Sequence, residues 1–385
     1  MSFMKILLAS QDLSADLSAA VGRQLMQQGL ADYAGADLIS LPFDGQQEDL
    51  IAGLQKWNSG QLVDFTYYGP NWESARVTYL LTTLSGKLTA IIDTSVFANR
   101  QSISHYDEHD LFHASSYGLG QLILDAVTNE AQEVVLLIDD TCVIDGGLGM
   151  LQALGALIAD ESGDPIPVGE NPLINFDQID FSKPDDLLKG VKLTVLARET
   201  STYTGGNSQL VETGKEIGIL PEHLVRLDLR SAAFNRLMRK ERELDLTQIS
   251  GSGAGGGIAG ALACLGAEIT DSTYAWLFEQ LKFAEVFADV DVAFLAIDQV
   301  NQTRFPTSFV GELARFFDQQ QIRTILFTLI RITPAEAWNL PHVSTFVLPK
   351  IMGIKLPVAD ETVTTANREL EQSLIATTHE VAKLI

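Results

Sequence analysis

Short apolar runs alternate with amphipathic stretches at both ends of the chain. Lys5–Ala9 and Asp37–Leu41 have the length and apolar content of buried strands, and the spacing of apolar positions over residues 15–28 predicts a helix between them. Near the other end, Val290–Ile297 is almost continuously apolar, and Arg323–Leu329 is a further predicted strand. Strands without polar alternation are typical of a sheet that is covered on both faces. The alternation of strands and helices therefore predicts a parallel sheet flanked by helices.

The middle of the chain has a different pattern. Arg76–Thr83 and Lys87–Asp93 are rich in β-forming residues and are separated by Leu84-Ser85-Gly86, which predicts a hairpin. Glu133–Ile138 and Val191–Ala197 are short apolar runs of the kind that form buried strands. This part of the chain therefore departs from the strand–helix alternation of the two ends and is expected to form a mixed α/β domain.

Helices are predicted between these strands and after them. Apolar spacing predicts helices over Ser115–Val127, Leu148–Ile158, Glu222–Glu243 and Thr273–Phe287. Asp160–Asp186 is polar and contains four prolines, so we expect a loop or an excursion there.

The change of pattern follows Gly69-Pro70, a natural break in the chain. We predict an α/β protein with two α/β domains. One is a discontinuous Rossmann-like (flavodoxin-like) parallel-sheet domain made of residues 1–69 and 286–385. The other is a mixed α/β domain, residues 70–285, inserted into the first. We expect the functional site in a cleft between the domains, a common location for ligand sites.

Composition narrows the classes of partner. The chain has 385 residues, and its formal net charge of −24 disfavours nucleic acid and anionic membranes. Gln11 and Asp12 closely follow the first apolar run, so we predict a first strand and not a signal peptide. Cys142 and Cys264 lie far apart in apolar contexts and are predicted to be reduced, which suits a cytoplasmic protein. A small anionic substrate would need helix dipoles, a metal or the few basic residues to hold it.

A glycine loop provides such a place. Five glycines fall between Gly251 and Gly257, directly before the apolar segment Ile258–Leu265. A loop of this kind that leads into a helix directs several N–H groups at one point, where the helix dipole favours an anion. We therefore predict a phosphate- or carboxylate-binding loop in which the contacts come from Gly251, Gly253, Gly256 and Gly257.

Two other interpretations of this loop remain open. Gly251, Gly253 and Gly256 satisfy the dinucleotide pattern G-x-G-x-x-G, although Leu244 and Leu246 before them alternate with polar residues and do not form a buried strand. A Walker A loop is excluded, because no Lys-Ser/Thr pair follows the glycines. The remaining alternative is a helix that packs tightly on a neighbour, with glycines that permit the close approach.

Several segments in the same order resemble one family. Ala114–Ile123 contains Ser-Ser-Tyr-Gly, Asp145–Gly155 begins with Asp-Gly-Gly, and Leu265–Glu268 continues the glycine loop as Leu-Gly-Ala-Glu. With Met4–Ile6 and Gly69-Pro70, they make the chain similar to the bacterial type I glycerate kinases over essentially its whole length. The resemblance implies transfer of a phosphoryl group from ATP, with Mg²⁺, to D-glycerate or a related small hydroxy acid. The resemblance does not decide whether the protein forms a homodimer, so that assembly stays open.

The resemblance also implies the residues of a site. Asp145 is the catalytic candidate, although aspartate is equally a favoured helix cap and both interpretations stay open. The candidate substrate- or phosphate-binding residues outside the glycine loop are Asp44, Gly45, Ser116, Tyr117, Gly146 and Gly147. No residue is assigned as a metal ligand.

Polar positions depart from the family pattern. Gln11–Ser14 stands where the family has Asp-Ser-Phe-Lys, and Asp44–Asp49 stands where it has Asp-Gly-Gly-Glu-Gly-Thr. Asp139–Ile144 and Ala197–Tyr203 replace two further motifs of the family. The positions that match the family are glycines and helix starts. The positions that differ from it carry the polar side chains that would take part in catalysis. The alternative is therefore a catalytically inactive paralogue that binds an anionic metabolite.

Two polar clusters have a functional and a structural interpretation. The carboxylates of Asp139 and Asp140 could bind Mg²⁺ together with Asp145, but a solvated loop is the preferred interpretation. The spacing of His105, His109 and His113 would place them on one face of a helix, as in some metal sites. The acidic residues around them favour a solvated charged face instead.

Overall fold

A computed structural model describes residues 4–33, 35–43, 47–96, 113–138, 143–197, 200–216, 218–303, 305–332, 338–348 and 361–385. By its internal contacts the chain divides into two compact units, one of Met1–Trp57 with Tyr274–Ile385 and one of Asn58–Thr273. The strands and helices of the described residues follow in the order β1 (Met4–Ser10), α1 (Ala19–Gly29), β2 (Ala36–Ser40), α2 (Gln47–Asn58), β3 (Gln61–Tyr68), β4 (Ser74–Leu84), β5 (Lys87–Asp93), α3 (Tyr117–Thr128), β6 (Glu133–Ile138), α4 (Leu148–Ala153), β7 (Leu157–Ala159), β8 (Gln178–Asp180), α5 (Ser182–Leu187), β9 (Lys192–Ala197), α6 (Gln209–Glu216), α7 (Pro221–Arg242), α8 (Ile258–Ala263), β10 (Glu268–Thr270), α9 (Thr273–Gln280), α10 (Phe283–Val286), β11 (Val292–Val300), α11 (Phe309–Gln319), β12 (Arg323–Arg331), β13 (Val343–Val347) and α12 (Glu361–Ala382).

The first unit contains a five-stranded sheet in the order β13-β12-β11-β1-β2, in which all neighbouring strands are parallel. Residues 6–10 of β1 and 292–297 of β11 are buried, as expected for strands that are covered on both faces. The flanking helices have serine caps: the hydroxyl of Ser18 accepts from the amide of Val21, and the hydroxyl of Ser308 accepts from that of Gly311. The predicted α/β class and parallel sheet are confirmed.

The second unit contains a six-stranded mixed sheet in the order β10-β9-β6-β5-β4-β3. Strands β5, β6, β9 and β10 are parallel, whereas β3–β4 and β4–β5 are antiparallel pairs. A separate two-stranded antiparallel sheet joins β7 to β8. The carboxyl ends of the parallel strands meet at one edge of the large sheet, which is where α/β proteins commonly place their ligand sites.

The unit boundary differs from the predicted one. We expected residues up to 69 to belong to the first domain, but Gln61–Tyr68 is an edge strand of the second sheet. It pairs with Ser74–Leu84 across a short turn, and the amide of Gly69 donates to the carbonyl of Glu73 within that turn. Gly69-Pro70 is therefore part of a hairpin turn, and the chain changes units near Asn58.

Three local predictions were wrong in extent. The helix expected over Leu148–Ile158 ends at Ala153, because Gly155 adopts a φ of +99° that stops the helix. The helix expected over Thr273–Phe287 is two helices, separated where Lys282 adopts a φ of +53°. The excursion Asp160–Asp186 contains strand β8 and most of α5.

Among the described helices, none is both long enough and apolar enough to cross a membrane.

Candidate functional site

Three helices of the second unit begin side by side. Asp145, just before α4, hydrogen bonds to Ser116 at the start of α3. At the start of α8, Ile258 packs against Gly147 so closely that a Cβ on that glycine would lie 3.0 Å from the Ile258 Cα. The glycine loop forms the connection into α8. The candidate residues 116, 117, 145–147 and 251–257 are therefore brought together within one unit.

The carboxylate of Asp145 is enclosed by donors. One oxygen accepts from the amide of Gly147 at 2.9 Å. The other accepts from the amide and hydroxyl of Ser116 at 2.7 and 2.8 Å, from the amide of Gly149 at 3.1 Å and from the hydroxyl of Ser115 at 3.3 Å. The side chain thus satisfies amides at the start of α4 that a helix otherwise leaves unpaired.

Burial and hydrogen bonding act in opposite directions on this acid. Asp145 is completely buried, and desolvation raises the pKa of its carboxyl above the ordinary value. Hydrogen bonds from Ser116, Gly147 and Gly149 oppose the increase. The helix-capping role considered for Asp145 is present in the structure. Its catalytic role stays a prediction, since protein donors occupy both carboxylate oxygens.

Ser116 and Tyr117 lie at the start of α3. The hydroxyl of Ser116 also accepts from the amide of Met150 at 2.9 Å, so it bonds to α4 as well as to the aspartate. The ring of Tyr117 is half-buried and packs on Trp72, with ring centroids 5.3 Å apart. The Trp72 indole in turn donates to the carbonyl of His113 at 2.9 Å. Tyr117 therefore has a supported position next to the buried acid.

The glycine loop is packed against protein. Gly255, Gly256 and Gly257 have φ values of +66°, +65° and +99°, which favour glycine. A Cβ on Gly255 would lie 2.9 Å from the side chain of Ile138, and one on Gly257 would lie 2.8 Å from the Cα of Gly146. The close-packing interpretation is thus satisfied at these positions.

Most amides of the loop already have partners. The amide of Gly253 donates to the carbonyl of Ser201 at 3.0 Å, and that of Gly257 donates to the carbonyl of Gly253 at 3.0 Å. The amide of Gly256 is 3.5 Å from the side-chain oxygen of Gln209, at the limit of a hydrogen bond. Within the described ranges, the amides of Gly251 and Gly255 make no hydrogen bond. The predicted anion-binding role of the loop stays a prediction, and the structure leaves few amides to perform it.

Tyr203 is a structural residue that the sequence did not indicate. Its side chain is 1% exposed, and its hydroxyl donates to the carbonyl of Gly146 at 2.8 Å. Its amide donates to the hydroxyl of Ser252 at 3.1 Å. The ring lies where a Cβ on Gly260 would clash. In the sequence, Tyr203 lies between the Asp145-Gly146-Gly147 motif and the glycine loop, which was the only hint of its role. Only the fold shows that its side chain contacts both.

The segment before α6 faces open space. Neither Gly205 nor Gly206 would bring a Cβ within 4 Å of another described atom. The amide of Gly205 donates to the carboxylate of Asp228 at 2.6 Å, whereas those of Gly206 and Asn207 have no partner in the described part of the chain. Gln209, 4% exposed, connects this segment to the glycine loop. The Gly-Gly pair before a helix was the signal that could have identified this segment.

The remaining residues singled out from the sequence are only in part among the described residues. Those that fall outside the described residues are Asp44, Gly45, His105, His109, Asp139, Asp140 and Cys142. His113 is described, and its Nδ1 lies 2.9 Å from the carbonyl oxygen of Gly169. Cys264 is a buried free thiol, as predicted. Within the described ranges, no three His, Cys, Asp or Glu side chains are grouped as a metal site requires.

Comparisons with known proteins agree with one another. The sequence model of the glycerate kinase family matches residues 6–383. The chain is 29% identical over 272 residues to a glycerate 2-kinase of Escherichia coli, covering 69% of this chain and 70% of the relative. It is 26% identical over 260 residues to a glycerate kinase of Bacillus cereus, covering 67% and 68%.

A solved structure has the same fold. It is the crystal structure of a glycerate kinase 2 candidate from Salmonella typhimurium LT2, with a TM-score of 0.79 and 22% identity over 99% of this chain and 98% of that one. This likeness is one of fold and agrees with the α/β class of the two units. Because the family model also covers almost all residues, this chain belongs to the glycerate kinase family.

Proposed function

We propose that this protein is an ATP-dependent kinase that phosphorylates D-glycerate or a related small hydroxy acid. The observation that carries the proposal is the match of the glycerate kinase family to residues 6–383. Family membership implies phosphoryl transfer from ATP to a small molecule. The identity of the hydroxy acid and the position of the new phosphate are the finer parts of the proposal. No feature of the described residues favours binding without transfer over transfer.

Enzymes achieve phosphoryl transfer mainly by positioning the reactants and neutralising charge. Backbone amides at helix starts can supply part of that neutralisation. The carboxylate of Asp145 and the hydroxyl of Ser116 already occupy the start of α4, so we do not assign a phosphate there. Among the described residues of these two segments, the amides of Gly251, Gly255, Gly206 and Asn207 make no hydrogen bond. We propose that these amides contact the phosphates of the nucleotide or the carboxylate of the acid.

The open segment before α6 supports this assignment. Space in front of Gly205 and Gly206 allows a ligand to approach the backbone closely. The contact between Gln209 and Gly256 brings the segment next to the glycine loop. We propose a composite anion site in which residues 205–209 supplement Gly251, Gly253, Gly256 and Gly257, the residues assigned from sequence.

The proposed role of Asp145 follows from its contacts. The carboxylate positions the starts of α3 and α4, next to which Ser116, Tyr117, Gly146 and Gly147 are proposed to border the substrate. A direct catalytic contact would require the carboxylate to release one of its donors. Asp44 and Gly45 remain candidates on the resemblance alone, as does the placement of the site in a cleft between domains.

Mg²⁺ is the further cofactor that we propose. When bound with ATP, the ion would neutralise the charge that develops on the phosphates during transfer. The described residues include no cluster suited to a metal ion, so we assign no protein ligand to it. We also propose a cytoplasmic location and a homodimer. Light scattering after size-exclusion chromatography measures the oligomeric state.

The activity test uses the full chain. Purified protein is incubated with ATP, Mg²⁺ and D-glycerate, and ADP release is followed by a coupled assay while ³¹P NMR identifies the phosphorylated position. L-Glycerate, lactate and a reaction without acid are the controls. We expect ADP release that depends on D-glycerate or a close analogue. Rates equal to the blank for a whole panel of hydroxy acids would refute the proposal.

A further inference from the structure

A cavity of about 840 Å³ lies between helix α7 and the small β7–β8 sheet. This volume is in the range of about 300–1,000 Å³ that is common for small-molecule sites. None of the candidate site residues lines it. The walls comprise residues of the two strands, one face of α7, and residues of the loop between β7 and β8. The proposed kinase chemistry does not use this cavity.

Two arginine–phenylalanine pairs hold α7 against the β8 segment. The guanidinium of Arg230 lies 4.3 Å from the ring centroid of Phe176 and donates to the carbonyl of Leu173 at 3.1 Å. The guanidinium of Arg242 lies 4.1 Å from the ring centroid of Phe181. The two arginines are about 18 Å apart along α7, at ~1.5 Å per residue. The cavity opens between these attachment points, so its walls are supported at both ends.

Two basic side chains on the cavity wall lack partners. Arg236 and Lys240 both line the cavity, and their spacing places them on one face of α7, one turn apart. Among the described residues, neither forms a hydrogen bond or an ion pair. The whole chain has only 26 Lys and Arg against 50 Asp and Glu, so a pair of cations without ion-pair partners on one cavity wall is a local departure from its negative charge.

Carboxylates also line the cavity, but two of the three are already engaged. Asp180 accepts from the amide and hydroxyl of Ser182 at 2.8 and 2.5 Å. The charge of Asp177 acts on the neighbouring Arg230. Glu241 remains as an acceptor for ligand hydroxyl or amino groups. The opposite wall combines the polar side chains of Gln178 and Asp180 with apolar ones that include Leu157, which is 56% exposed.

We propose that this cavity is a second ligand site, specific for a phosphate ester with a hydroxylated body. Arg236 and Lys240 bind the phosphate, which carries about −1.5 to −2 charge at neutral pH and therefore matches two cations better than a single carboxylate does. Glu241 accepts from hydroxyl groups of the body, and the apolar surface at Leu157 contacts its carbon skeleton. A nucleotide and a sugar phosphate share this chemistry.

The test measures binding of AMP and of glucose 6-phosphate by isothermal titration calorimetry, without Mg²⁺ or ATP. Arg236→Ala/Lys240→Ala removes both cations. Arg226→Ala/Arg239→Ala is the matched control, because it removes the same charge from the same helix outside the cavity. All four side chains are exposed, so both variants should fold. Melting temperatures check this.

We expect at least one probe to bind the natural protein, with at least about tenfold weaker binding to Arg236→Ala/Lys240→Ala and unchanged binding to the control. Binding of AMP alone identifies a nucleotide site, and binding of glucose 6-phosphate alone identifies a sugar phosphate site. The proposal is overturned if neither probe binds, or if the two variants behave alike. Hydrogen exchange on the natural protein tests it independently of the variants: bound probe must protect β7 and β8, and unchanged exchange there counts against it.

Discussion

Asp145 accepts hydrogen bonds from both the amide and the hydroxyl of Ser116, at 2.7 and 2.8 Å. The two residues precede different helices: Ser116 lies before α3 and Asp145 lies before α4. One buried carboxylate thus joins two strand-to-helix connections. Since Ser116 also accepts from Met150, the pair holds both helix starts in one arrangement. The borders of the candidate site depend on this pair.

Replacing the serine should loosen that arrangement. Ser116→Ala removes a hydroxyl that donates to Asp145 and accepts from Met150, both at distances below 3 Å. We expect a loss of about 1–3 kcal/mol in the free energy of unfolding, the usual cost of unpairing buried groups, together with a lower kcat. Ser115→Ala is the matched control, since its hydroxyl makes only longer contacts, 3.3 Å to Asp145 and 3.2 Å from the amide of Tyr117. Urea denaturation measures both; an equal or larger loss in Ser115→Ala contradicts this view.

The raised pKa of Asp145 predicts the sign of a pH effect. Burial raises the pKa of the native carboxyl above about 3.9, the value expected in the unfolded chain. The native state then binds the proton more tightly, so this contribution to stability is present at low pH and is lost as pH rises through the native pKa. We expect the stability difference between the natural protein and Asp145→Asn to shrink from pH 4 to pH 7. Urea denaturation at several pH values measures it, and a difference that grows with pH would show that the hydrogen bonds dominate.

The glycine loop should tolerate no side chain at Gly256. A Cβ there would overlap the carbonyl oxygen of Val143, and the φ of +65° is itself unfavourable for alanine. We expect Gly256→Ala to lower the melting temperature strongly or to prevent folding. Gly163→Ala is the control: its φ is +84°, but nothing lies within 4 Å, so only the backbone cost of about 1 kcal/mol applies. Similar melting temperatures for the two variants would rule out the packing interpretation.

Gly206 should affect ligand binding without affecting stability. Its Cβ would enter open space, and its backbone does not adopt the left-handed conformation. If residues 205–209 contact phosphate, Gly206→Val should raise the KM for ATP about tenfold, about 1.4 kcal/mol of binding, at an unchanged melting temperature. Gly206→Ala should have a smaller effect in the same direction. Unchanged KM values in both variants would exclude this segment from the nucleotide site.

The thiol of Cys264 should be inert in the native protein. Burial raises its pKa to about 12, so almost no thiolate exists at pH 8. In a Cys142→Ala background, we expect Ellman's reagent to label the remaining thiol only after denaturation. The denatured protein provides the full-labelling control. Labelling within minutes at pH 8 would mean that the site opens readily.

Element types were predictable where the pattern is local and strong. Val290–Ile297 and Glu133–Ile138 are short apolar runs typical of buried strands, and both segments form strands. Gln61–Tyr68 is a strand of the second sheet, whereas the predicted boundary after residue 69 placed it in the first domain. Strand partners are decided by distant segments, in this case by antiparallel pairing with Ser74–Leu84.

The proximity of most candidate residues was predictable, although their roles in a site stay predictions. The resemblance named residues 116–117, 145–147 and the glycine loop, and the fold places them together. Tyr203 and Gln209 were missed, because neither has a distinctive local pattern. Their importance comes from what they touch: Tyr203 joins Gly146 to Ser252, and Gln209 reaches Gly256.

The sequence alone determined the alternation of strands and helices, because apolar periodicity is a property of neighbouring residues. It also determined where side chains are forbidden, through the glycines of residues 251–257. Only the tertiary structure decided what takes the space in front of those glycines. A glycine indicates that another group approaches the backbone closely. A neighbouring protein segment and a bound ligand both need the absence of a Cβ, so the sequence does not distinguish them. Here Ile138, Gly146 and the carbonyl of Val143 fill most of that space, and the open surface lies instead at Gly205 and Gly206.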